Sequence, residues 1–166
     1  MKEERCILQI DKDPKAVIEP DYEKQPFKFH SKLLFAFVPK EDIDNFLEQV
    51  PHKVLGSYDT ISFQPDIYEI ERNGEYFTLC QAPLGGPASV QLLDWLISYG
   101  VNQVLTVGNA GALTDLPENE MLLVKRAIRD EGTSFHYVEP GQFIDLNQGF
   151  LKQVEDVLAT LDLKYD

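Results

Sequence analysis

Apolar residues fall into runs, alternations and stripes along the 166-residue chain. The first clear signal is a continuous run, Leu33-Leu34-Phe35-Ala36-Phe37-Val38, which stops at Pro39. Its length and aromatic content predict a strand buried on both faces. A stripe follows. Ile43, Phe46, Leu47 and Val50 recur at helical spacing, so residues 40–50 read as a helix that Pro51 ends. Residues 54–63 read as short strand pieces. Two alternating runs at 66–71 and 75–80 then flank Asn73-Gly74. Asn and Gly both tolerate positive φ, so a type I′ hairpin is predicted.

The second half is organised around residues 101–111, VNQVLTVGNAG. This apolar strand runs directly into Gly108-Asn109-Ala110-Gly111, a turn with room for close backbone approach. A helix with Val90, Leu93, Leu96 and Ile97 on one face precedes it. Pro87 suits that helix's first turn and Gly100 its C-terminal cap. Strand, helix and strand form a βαβ-like unit, which predicts a largely parallel sheet. Residues 121–128 read as another strand and 129–145 as irregular. Leu146, Phe150, Val154, Val157, Leu158 and Leu161 share one face of a helix over 146–161. Residues 163–166 read as the approach to a further strand. Residues 1–31 carry Pro14, Pro20 and Pro26 among many charges and read as an N-terminal arm. Residues 32–166 then form the α/β part of a single domain.

Composition narrows the partners. With 43% hydrophobic residues the chain should fold. The formal net charge of −13 opposes binding to nucleic acid or to an anionic membrane surface. There is no apolar run of membrane-spanning length and no signal-peptide core at the N-terminus, so a cytoplasmic protein is expected. Cys6 and Cys80 form no CxxC motif; both are expected to be reduced, with Cys80 buried in a strand. His30, His52 and His136 lack metal-ligand spacing, so no metal is expected.

Two stretches carry candidate chemistry. The first is the pair of glycine turns, Gly85-Gly86-Pro87 and Gly108-Asn109-Ala110-Gly111. Both lie at predicted strand ends, where open α/β sheets bind ligands. Neither matches a dinucleotide fingerprint or a P-loop. Spacing alone leaves a ligand turn and an ordinary tight turn equally open. The second is the polar segment holding Arg129, Asp130, Glu131, Thr133, Ser134 and His136. It suits substrate positioning, or a solvated loop with a side-chain-capped turn. No nucleophile-elbow pattern surrounds Ser134.

Three segments in order resemble the nucleoside phosphorylase superfamily, which includes purine nucleoside phosphorylases, uridine phosphorylases and related nucleosidases. They are Gly85-Gly86-Pro87-Ala88 before a helix, Val107-Gly108-Asn109-Ala110-Gly111-Ala112-Leu113, and residues 127–137, AIRDEGTSFHY. The last looks most like the uridine-phosphorylase-like branch. The resemblance implies a three-layer αβα fold around a central mixed, mostly parallel sheet. It implies cleavage of the N-glycosidic bond of nucleosides, with inorganic phosphate as co-substrate and no other cofactor. Asn109, Ala110 and Gly111 would line the ribose and nucleophile region, with Gly85 and Gly86 approaching from a neighbouring loop. Arg129, Glu131 and Ser134 join them as candidate binding residues. The partners would be a nucleoside or free base and, as in the family, further copies of the chain in a homo-oligomer.

The chain also departs from the family pattern. A Gly-Asp-Pro-x-x-Arg-like loop is matched by Phe37-Val38-Pro39-Lys40-Glu41. Thr106 stands where an arginine often precedes the glycine turn, and Asn109 where a Ser or Thr is usual. Lys40 is the one cation offered in exchange. These departures keep a hydrolytic nucleosidase as the alternative. The family's base pocket and ribose-binding Met-Glu motif come from its last third, which has no counterpart here. The fold is therefore expected to be incomplete at its C-terminus, and this chain by itself inactive. A non-catalytic remnant that only binds or assembles is the third reading.

Overall fold

The computed structural model describes Ile10, Lys12, Asp13 and residues 15–165. Cys6 and the apolar stretch around it lie outside the described residues. The chain divides into two compact units, Asp13–Ala110 and Gly111–Asp166 with Met1–Lys12.

The first unit is built on β1 (Lys32–Phe37). Leu33 and Phe35 point to one face and Ala36 to the other, each only 2% exposed. Burying a large apolar side chain fully contributes roughly 2 kcal/mol, so a strand with both faces apolar is stable only between two covering layers. Those layers are α1 (Lys40–Leu47) and α2 (Gly86–Ser98). Ile43 and Leu47 of α1 pack with Ala36, Tyr68, Ile70 and Leu79. Leu92 and Leu96 of α2 pack with Leu33, Phe35, Ile67 and Cys80 on the opposite face. The result is a three-layer αβα arrangement.

Between the layers lies one five-stranded sheet in the order β2-β3-β4-β1-β5. The new strands are β2 (His52–Ser57), β3 (Asp66–Arg72), β4 (Glu75–Gln81) and β5 (Gln103–Gly108). β3 runs against both β2 and β4, while β4 and β5 run parallel to β1 on its two sides. Only β3 is reversed, so the sheet is mixed and mostly parallel, as expected. The hairpin forms as predicted: Asn73 and Gly74 have φ of 56° and 78°, both required by a type I′ turn.

Several local readings are corrected. α1 ends at Leu47 because Gln49 and Val50 donate to Phe46 and Leu47, tightening the last turn. The strand expected over 54–63 is only β2. Residues 58–65 form a loop in which the Thr60 hydroxyl donates to the Phe63 carbonyl at 2.6 Å. Part of the N-terminal arm packs on the first unit. Phe29 is buried in the α2-side core, and its backbone N–H donates to Tyr99 O at 3.0 Å.

The second unit contains β6 (Arg126–Ile128), a 3-10 turn (Thr133–His136), β7 (Phe143–Asp145) and α3 (Gln148–Thr160). Only the last three residues of the strand expected over 121–128 are paired, because only they have a partner, the antiparallel β7. β7 is three residues long, too short to show a period. Asn147 caps α3 by accepting from the Phe150 N–H at 2.9 Å. The expected α3 stripe is rotated. Leu151 is the buried residue, whereas Val157 and Leu161 are 57% and 61% exposed. No strand forms over 163–165.

Gly100 closes α2 with φ of 122°, and a Cβ there would lie 2.9 Å from the Phe29 carbonyl oxygen. Replacing Gly100 with Ala should therefore cost about 1–3 kcal/mol. Denaturant unfolding checks this; an unchanged midpoint would contradict it.

Candidate functional site

Parallel pairing brings three strand ends to one edge of the first unit. Ala36 of β1 is level with Gln81 of β4, and Phe37 with Gly108 of β5. The loops leaving this edge are 38–39, 82–85 and 109–110, so Gly85, Gly86, Asn109 and Ala110 are gathered there. The edge lies beyond the carboxyl ends of three parallel strands, where α/β sheets place ligands.

Hydrogen bonds hold the edge in shape. Ala82 N–H donates to Ala36 O at 2.8 Å and the Gln81 amide to Val38 O at 2.9 Å. The Ser89 hydroxyl of α2 donates to Pro83 O at 2.7 Å, tying the helix start to its loop. Gly85 has φ of 95° and ψ of 138°, and a Cβ placed there would meet no atom within 4 Å. Its backbone angles, not crowding, call for glycine. Gly108 is different, since a Cβ there would sit 2.9 Å from Phe37 Cβ. No side chain caps α2, and its first turn contains Pro87. Its leading N–H groups therefore have no side-chain acceptor at the positive end of the helix dipole, and the helix starts at the sheet edge from which Asn109 and Ala110 also leave.

Cations at this edge are scarce. In the three loops and the first helical residue after β1, the only Lys or Arg is Lys40. Its ammonium is held by Asp44 one turn along α1, at 2.6 and 2.8 Å. That hydrogen bond raises the Lys40 pKa and keeps the amine charged.

The second unit brings Arg129, Glu131 and Ser134 together. Arg129 is only 8% exposed. Its Nε donates to Ser134 Oγ at 3.0 Å, and its two terminal nitrogens donate to Glu139 O at 2.6 Å and Val138 O at 3.0 Å. The guanidinium also lies 4.7 Å from the Phe135 ring centre. The Glu131 carboxylate accepts from the Thr133 N–H at 2.6 Å and the Ser134 N–H at 3.1 Å. The hydrogen bonds from Ser134, then those from Thr133, hold this carboxyl below its ordinary range against the opposing effect of burial. The loop 129–139 is thus wound around its own arginine and glutamate. Alternation and spacing could not reveal this hub, because two of the three acceptors of Arg129 are backbone carbonyls. Gly111 opens the second unit, with no atom within 4 Å of a Cβ position.

Comparison with known proteins adds to this geometry. No family profile matches the chain. Uridine phosphorylase of Haemophilus influenzae is 30% identical over 67 residues, covering 40% of this chain and 27% of that protein. Uridine phosphorylase of Vibrio fischeri superposes with a TM-score of 0.66 at 21% identity, over 86% of this chain and 57% of that one. The fold is that of the nucleoside phosphorylases and nucleosidases. The nucleosidase side is represented by the 5′-methylthioadenosine/S-adenosyl homocysteine nucleosidase of Campylobacter jejuni, with a TM-score of 0.62 at 19% identity, over 81% and 61% of the two chains. The chain thus resembles the superfamily and spans little more than half the length of these solved structures.

Among the described residues there is no cluster of three His, Cys, Asp or Glu able to hold a metal, and no helix long and apolar enough to cross a membrane. Replacing Arg129 with Met should free the loop carbonyls and cost about 2–3 kcal/mol. Faster amide exchange at Tyr137 and Val138 would report it; unchanged exchange would contradict it. Because the folded Glu131 pKa is lowered, its contribution is fully present above the ordinary glutamate range. That contribution is lost as pH falls through the lower folded value. Glu131→Gln should remove this acid sensitivity of the loop.

Proposed function

We propose that this chain supplies the sugar-side half of a nucleoside-cleaving site, with phosphorolysis of the N-glycosidic bond as its reaction and uridine-type nucleosides as its substrates. The observation that carries this reading is the uncapped N-terminus of α2, with Gly85 and Gly86, at the same sheet edge as Asn109 and Ala110. The uridine phosphorylase relative supports the substrate class.

The chemistry fits the geometry. As the glycosidic bond breaks, positive charge builds on the ribose and negative charge on the departing base. The nucleophile must wait beneath the anomeric carbon. Outward backbone N–H groups at a helix start can hold a phosphate oxyanion there without a lysine or arginine. Arg129, Glu131 and Ser134 would act by holding the 129–139 loop in one shape, with Gly111 leading into it.

Hydrolysis is the second reading, and one observation favours it. Lys40, the cation at the edge, is committed to Asp44. A site without a free cation holds phosphate less firmly than one with it, and water needs no such anchor.

Free base released from uridine or a purine nucleoside, with and without phosphate, separates the two readings. The chain alone should release little. Joined to the C-terminal part of a related uridine phosphorylase, it should release base in a phosphate-dependent way. Equal release without phosphate would establish hydrolysis, and no release from the joined protein would contradict both.

A homo-oligomer belongs to the same proposal. Ile128, Val157 and Leu161 are each more than half exposed, and such apolar surface favours association. Light scattering should report a dimer or larger; a monodisperse monomer would contradict this.

A further inference from the structure

A second concave site lies in the first unit, on the α2 face of the sheet. It is a groove of about 680 Å³ bounded by the flank of α2, the turn after β2 and the segment around residues 18–27. Its walls carry Glu19, Glu23, Asp59 and Asp94 together with Tyr58 and Trp95, and among the described residues no Lys or Arg lines it. The rings are fixed by one another. Trp95 lies 4.9 Å from Tyr58 and 5.3 Å from Phe27, centre to centre. Phe27 is in turn seated over Gly56, where any Cβ would collide with its ring. The aromatic wall is therefore part of the packed core edge, independent of the carboxylates. Neutral groups hold two of those carboxylates. Glu23 accepts from the Tyr22 hydroxyl at 2.9 Å and from the Gln25 amide at 3.4 Å, and Asp59 accepts from the Gln64 amide. Their charge is oriented without being neutralised.

Aromatic faces and carboxylates share one preferred guest. A ring quadrupole attracts a cation over its face, and a carboxylate attracts the same cation by charge and hydrogen bonding. An anionic ligand would meet repulsion from the Glu23 and Asp59 carboxylates, and a purely apolar one would strip their water without compensation. A cation on an apolar stem satisfies both walls. We propose that this groove binds a small organic cation bearing ammonium or guanidinium groups, such as a linear polyamine. The proposal stands apart from the nucleoside reading. The groove lies on the flank of α2, and it calls for a ligand of opposite charge to phosphate.

Trp95 is the only tryptophan in the chain, so its fluorescence reports directly on the groove. The probe is spermidine, titrated into the full chain, with triethylene glycol as the neutral match. Spermidine should give a saturable change and triethylene glycol none. The pair Glu19→Gln with Asp59→Asn should weaken binding by about tenfold. Tyr22 also lines the groove and is 65% exposed, so Tyr22→Ala should leave the fold intact, and it should weaken binding several-fold. The control pair Glu41→Gln with Glu48→Gln changes the same number of charges at α1, on the other face of the sheet. It should leave affinity unchanged. Three results would overturn the proposal: no saturable change with spermidine, an equal response to triethylene glycol, or equal weakening by the control pair. The last would mean diffuse attraction to an acidic protein.

Discussion

The first unit depends on one constraint: β1 is apolar on both faces and must be covered on both. Leu33 and Phe35 require α2 above them, and Ala36 requires α1 below. Once both helices are committed, the chain must pass from β4 through α2, across β1, to β5. Strands on both sides of β1 then run parallel to it, and their carboxyl ends finish level. The candidate site follows from this. Three strand ends deliver the loops that hold Gly85, Gly86, Asn109 and Ala110 to this one edge.

The sheet edge of the first unit and the 129–139 loop of the second are stabilised differently. The edge of the first unit is shaped by strand register and a few backbone hydrogen bonds, and no side chain caps the start of α2 there. The 129–139 loop is closed on itself, with a buried guanidinium satisfying two backbone carbonyls and a serine hydroxyl. A buried arginine left without such partners would be costly, so this loop is held as a unit.

Much of this was legible in the residues, and for physical reasons. A doubly buried strand must be apolar at consecutive positions, which exposed β1. A type I′ turn needs two residues tolerant of positive φ, which exposed Asn73-Gly74. Pro87 and Gly100 marked the two ends of α2. Illegible features were those set by partners distant in sequence. β6 is short because β7 alone pairs with it, and β7 is too short to announce itself. The buried line on α3 runs through Leu151, since the helical stripe is broad and packing selects one edge of it. The Arg129 hub and the aromatic-acidic groove use contacts that no local pattern records.

In the proposed site, nucleoside and phosphate meet the sheet edge at the two glycine turns. Amide chemical-shift mapping tests it most directly. With uridine and phosphate added to the isotopically labelled chain, shifts should concentrate at Gly85, Gly86, Ala88, Asn109 and Ala110. Shifts confined to other residues, or none at saturating concentrations, would contradict the account.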